Sequence, residues 1–99
     1  TTIAANVFIS NVDHDYNDIT KSVMEQPLIE KETYIGNGCF IGFGASILPG
    51  TKLGNHCIVG SNAVVKGDFL DNSVIVGTPG KKVKKYNLKT KKWEKNFNG

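Results

Sequence analysis

The sequence predicts an all-β protein built as a solenoid, and two observations carry that prediction. Aliphatic residues recur every six positions, at Ile29, Ile35, Ile41, Ile47, Leu53, Val59 and Val65. The residue four places after each of the first six is small: Thr33, Cys39, Ala45, Thr51, Cys57 and Ala63. Glycine follows the aliphatic at Gly36, Gly42, Gly54 and Gly60, where repeated corners call for φ freedom and close backbone approach. A period of six matches neither a helical stripe nor simple strand alternation; it is the repeat of a short strand plus a corner.

Each element follows from that unit. Three hexads close a triangular coil of about 18 residues, and stacked coils set the aliphatics in ladders inside the prism. The expected ladders are Ile29, Ile47 and Val65 on one face, Ile35 and Leu53 on the second, and Ile41 and Val59 on the third. Upstream, Ile3 and Ile9 keep the spacing, but residues 15–28 interrupt it. An inserted loop there, adding no face of its own, would stack Ile9 with Ile41 and set His14 at the corner of Ser46 and Val64. Asp15, Tyr16, Asn17, Asp18 and Pro27 mark the insertion as a loop on a rigid scaffold, a usual place for binding residues. Downstream, Gly67, Asp68, Asn72, Gly77, Pro79 and Gly80 suggest a last, irregular coil. The solenoid is expected over residues 1–82, and residues 83–99 form a basic C-terminal extension, read as a hairpin in which Tyr86 and Trp93 flank a polar turn.

Composition agrees. At 99 residues the chain allows one domain, marginal for a closed round core but sufficient for a stacked one. The net charge of +3 hides an asymmetry, because eight of the lysines fall in the last twenty residues, with Glu94 the only acid among them. Such a tail suits a phosphorylated ligand, nucleic acid, an anionic membrane surface or simple solvation. No apolar run is long enough to span a bilayer, and two cysteines make no disulfide framework. Because residue 1 already lies within a coil, an unpaired sheet edge is expected at the start, and with it the C-terminal part of a longer domain.

The segments IGNGCFIGFGASILPGTKLGNHCIVGSNAVVKGD and SVIVGTPGKKVKKY resemble the closing coils of the hexapeptide-repeat acetyltransferases, the maltose and galactoside enzymes among them. With NVDHDYND upstream and KKYNLKTKKWEK downstream, the chain looks closest to the bacterial O-acetyltransferases of capsular polysaccharide and lipopolysaccharide. The resemblance implies a left-handed parallel β-helix, an exception to the right-handed crossover rule, assembled as a homotrimer. It implies transfer of an acetyl group from acetyl-CoA, a co-substrate rather than a bound cofactor, to a sugar hydroxyl in polysaccharide biosynthesis. A cytoplasmic setting is expected, with no nucleic acid, membrane span or metal.

The resemblance also implies roles. His14, in VDHDY, matches the family's general base; imidazole suits removal of a hydroxyl proton near neutral pH. Asp13 could orient His14 or hold a loop amide, or be a plain turn former. Asp15 and Tyr16 could meet acceptor hydroxyls, and Phe40 stands where the family often has a tryptophan facing the acceptor. Phe43 and Ser61 would line the pantetheine arm, with Lys66 and Lys81 near the nucleotide phosphates. Cys39 and Cys57 occupy equivalent corners at a distance that permits a disulfide, but Thr33 with Thr51 and Ala45 with Ala63 favour small buried residues. His56 reads as an exposed corner.

Three alternatives compete. The same scaffold could N-acetylate an amino sugar; only acceptor tests separate the two. A β-helical carbonic anhydrase needs three histidines, and this chain has His14 and His56. The third is a non-catalytic scaffold or an ice-binding solenoid; ice binding calls for regular outward threonine ladders, which are missing, and the base-bearing loop argues against an inert role.

Overall fold

The computed structural model describes residues 1–95, so the tail's final residues 96–99 lie outside the described residues. Strands of two residues alternate with corners from β1 (Thr2–Ile3) and β2 (Phe8–Ile9) through β5 (Tyr34–Ile35), β6 (Phe40–Ile41), β7 (Ser46–Ile47), β8 (Lys52–Leu53), β9 (Ile58–Val59) and β10 (Val64–Val65) to β11 (Asp68–Phe69), and the four-residue β12 (Ser73–Val76) follows. They stack in parallel as three walls. The first wall pairs Ile3 with Ile41, Ile41 with Val59 and Val59 with Ile75; the second pairs Ile9 with Ile47 and Ile47 with Val65; the third pairs Ile35 with Leu53 and Leu53 with Phe69.

The core is these ladders plus the small corner residues. Ile41, Ile47, Leu53, Val59, Val65 and Ile75 are fully buried, as are Ala45, Thr51, Cys57 and Ala63, with Cys39 nearly so. Each small residue turns into the prism where three walls leave no room for a longer chain. Thr51 satisfies its hydroxyl there by donating to the Val65 carbonyl at 3.0 Å. Cys39 and Cys57 are free thiols that donate to the carbonyls of Gly54 and Leu70, and burial pushes the Cys57 thiol up from its ordinary value.

The glycines divide two tasks that the sequence had merged. Gly42 is not in the left-handed region, but a Cβ there would lie 2.8 Å from the Ser61 amide nitrogen and 2.8 Å from the Val59 carbonyl oxygen, so close approach alone requires it. The left-handed turns fall two residues later, as at Gly44 (φ 72°), stacked between Asn6 and Asn62, which share the same conformation. Asparagine tolerates that region better than other side chains.

Ile29 does not join the ladder expected for it, and Ile9 does not stack on Ile41. Ile9 fills the place opposite Ile47, while Ile29 lies in β4 (Leu28–Glu30), paired antiparallel with β3 (Val12–His14), opposite Asp13. Phe8, not His14, is the neighbour of Ser46. The interruption is thus a two-stranded arm leaving the prism between the second and third walls, with residues 15–27 at its tip and a 3₁₀ turn at Val23–Glu25. The arm returns the chain in a phase that imitates the hexad period.

The last coil is closed by shortening its corner, with only Lys66 and Gly67 between β10 and β11. Beyond β12 the first wall continues antiparallel as β13 (Lys81–Asn87) and β14 (Lys92–Lys95), giving a six-stranded sheet in the order β1-β6-β9-β12-β13-β14. Strand β13 begins at Lys81, so the basic extension is continuous with the wall.

Candidate active site

The arm is anchored by its own backbone and by one threonine. Lys31 N donates to the Asn11 carbonyl at 2.8 Å and Asp15 N to the Pro27 carbonyl at 2.9 Å, fixing the two ends of the strand pair. At its base the Thr33 hydroxyl donates to the Ser10 carbonyl and accepts from Gly50 N, tying the arm to the corner that Gly50 shares with Lys66 and Gly67.

His14 ends β3 on this arm, opposite Leu28, and is half-buried. Its Nδ1 is buried with no hydrogen-bond partner among the described residues. Asp13, expected beside it as an orienting group, turns elsewhere: its carboxylate lies 3.5 Å from the Lys31 ammonium. Alternation along a strand sends neighbouring side chains to opposite faces, so residue 13 is poorly placed to reach the ring of residue 14.

At the tip, Asp15 accepts from Asn17 N, and Tyr16 is largely exposed. Asp18 accepts from the Thr20 hydroxyl and amide, which hold its carboxyl below its ordinary value. The residue that organises the tip is Gln26, which sequence reasoning missed. Its Oε1 accepts from Asp18 N, and its Nε2 donates to the carbonyls of Asp18 and Lys21 at 3.0 and 3.2 Å. A glutamine before a proline in a polar segment gives no signal of burial; only the turn around it does.

The remaining candidates spread over the prism. Phe43 and Ser61 occupy the corner between the first and second walls one coil apart, where Asn62 N donates to the Phe43 carbonyl. Lys66 sits at the corner from which the arm departs, and Lys81 pairs with Val76 beyond the last parallel strand. Phe40 points outward from the first wall in a column with Ile58 and Val74. The outward column of the third wall, Tyr34, Lys52 and Asp68, is polar by contrast. Lys66 thus lies on the same edge of the prism as the arm that carries His14, two coils along, while Phe43 and Ser61 lie on another edge. His56 is an exposed corner in the left-handed conformation, its ring lying against Gly38. Among the described residues no cluster of three metal-ligating side chains exists, and no helix is long and apolar enough to cross a membrane.

Residues 32–67 match the family model "Bacterial transferase hexapeptide (six repeats)". The chain is 40% identical over 104 aligned positions to WbbJ of Escherichia coli (strain K12), named for lipopolysaccharide biosynthesis O-acetyl transfer; the match covers 96% of this chain and 52% of the relative. Among solved structures, a maltose O-acetyltransferase from Clostridium difficile 630 superposes with a TM-score of 0.74 at 28% identity, over 86% of this chain and 44% of the other. A galactoside acetyltransferase in complex with coenzyme A superposes with a TM-score of 0.75 at 24% identity, a likeness of fold, over 93% of this chain and 45% of the other. The chain therefore spans about half the length of these relatives.

Proposed function

We infer that this chain, which belongs to the hexapeptide-repeat transferase family, is the acceptor-activating part of a left-handed parallel β-helix enzyme that moves an acetyl group from acetyl-CoA to a carbohydrate hydroxyl. The observation that carries the reading is His14: a half-buried imidazole with an unpartnered ring nitrogen, displayed by a braced arm at a corner of the solenoid. Leaving a buried polar atom unpaired costs about 1–3 kcal/mol. A structural histidine would be expected to have satisfied it, whereas a base that meets its partners in the assembled complex carries that cost.

In the proposed step, the imidazole takes the acceptor's hydroxyl proton as the oxygen attacks the thioester carbonyl. The C–O bond forms, the C–S bond breaks, and the imidazolium returns the proton to the departing thiolate. Phe43 and Ser61 line the pantetheine arm, Lys66 and Lys81 meet phosphates, and Asp15, Tyr16 and Phe40 face the acceptor. Asp13 acts on the arm through Lys31 rather than on the imidazole. That His14 and Phe43 occupy different corners of one chain supports a homotrimer in which the groove forms between neighbours, and the apolar outward column Phe40, Ile58 and Val74 supports contact along that wall. The acetyl donor favours a cytoplasmic setting.

The test is His14→Ala in the full-length enzyme at saturating donor. Turnover falls by roughly 10² to 10⁴ while acetyl-CoA affinity holds. His56→Asn, which tolerates the left-handed corner, serves as control. Near-normal turnover in the His14 variant would remove the base assignment, and sedimentation of an active monomer would remove the trimer.

A further inference from the structure

We propose that the outward face of the C-terminal hairpin, where Tyr86 and Trp93 stand beside Lys84 and Lys95, binds a carbohydrate bearing an anionic group, at a site separate from acyl transfer. The register assigns the face. Lys84 lies opposite Lys95 and Tyr86 opposite Trp93, and residues two apart on a strand share a side, so all four project together. The ring contact agrees: Tyr86 and Trp93 meet edge to face, with centroids 5.3 Å apart and planes at 74°.

Two features of this face work against stability unless something binds there. Like charges directly opposed across two strands are destabilising, and Lys84 and Lys95 are so placed, both exposed, with no carboxylate within 4 Å among the described residues. The hairpin's one acid, Glu94, projects from the other side, opposite Lys85, and accepts from the Asn87 amide at 2.6 Å. Trp93 meanwhile keeps 40% of its surface exposed although Tyr86 braces its ring.

An aromatic ring held edge-on by a second one offers a flat apolar surface that stacks on the C–H face of a pyranose. Two ammoniums beside it recognise a carboxylate or phosphate on that sugar. The face lies past Val74, at the end of the column Phe40, Ile58, Val74, Lys84, Lys95, beyond the last parallel coil. There it would hold an acidic polymer while another of its residues reaches the arm. The choice of a sugar rests on the acetyltransfer reading above; the charge and the rings do not.

Calorimetric titration of the full-length protein with galacturonate oligomers, neutral malto-oligomers of equal length, a dT oligonucleotide, anionic vesicles and acetyl-CoA tests this. The acidic oligosaccharide should bind well above the neutral one. Both Trp93→Ala and the pair Lys84→Glu, Lys95→Glu should weaken it about tenfold or more, with acetyl-CoA affinity and unfolding midpoint kept; Trp93→Phe should restore part of the loss. Equal binding of acidic and neutral oligomers, or acidic binding indifferent to Trp93, would overturn the site. So would preference for the oligonucleotide or vesicles, or an equal loss of acetyl-CoA affinity. Glycan binding retained by His14→Ala keeps this site independent of the base assignment. Loss of binding in the hairpin variants alone leaves that assignment intact.

Discussion

Ile41→Ala tests whether stability resides in the ladders. Ile41 is fully buried between Ile3 on one neighbouring strand and Val59 on the other, in a ladder that runs on to Ile75. Truncation removes three carbons, worth about 2.4 kcal/mol of transfer free energy at about 0.8 per methylene. The neighbours are fixed by backbone pairing at about 4.8 Å, so the space cannot collapse, and the residual void adds about 1 kcal/mol. The expected loss is about 3–4 kcal/mol, with Ile41→Val costing about 1. Urea unfolding should show a lower midpoint at unchanged slope. Leu88→Ala, at a hairpin position 75% exposed, is the control and should cost under about 0.5 kcal/mol. An Ile41→Ala loss below about 1 kcal/mol, or one equal to the control, would refute the ladder account.

Gly42→Ala should cost about 1–3 kcal/mol, because its Cβ meets backbone atoms of the next coil that no rotamer change can move; a thermal midpoint like that of the parent would exclude this close approach. Gln26→Ala leaves the Asp18 amide and the Asp18 and Lys21 carbonyls without their partner, so hydrogen exchange should quicken at the arm's tip while β7 keeps its protection. The Cys57 thiol is raised above 9.0 by burial, so folding favours its neutral form. That contribution is present below pH 9 and lost as pH rises through the folded-state value, and the urea midpoint should fall more steeply above pH 9 in the parent than in Cys57→Ala. Lys66→Ala and Lys81→Ala should weaken acetyl-CoA more than dephospho-CoA; equal weakening would move both lysines away from the terminal phosphate.

The hexad count alone determined the prism: which aliphatics point inward from Ile35 to Val65, and that Cys39, Ala45, Thr51, Cys57 and Ala63 are buried, because a repeat of short strand and corner leaves each position one environment. It also marked His14 as the imidazole beside an interruption. What periodicity could not decide was pairing. Ile29 stands one coil before Ile47 and in phase with it, yet its backbone partner is Asp13, while Ile9, twenty residues earlier, takes the ladder place. Phase is local to the sequence, whereas strand partnership is chosen by long-range hydrogen bonds, and an antiparallel arm can return the chain at any phase. The same reason brings Lys31 to Asp13 across the arm and aligns Tyr86, Trp93, Lys84 and Lys95, whereas Gln26 is buried by the turn that closes around it at the arm's tip. Strand register and turn closure are both choices that only the folded chain makes.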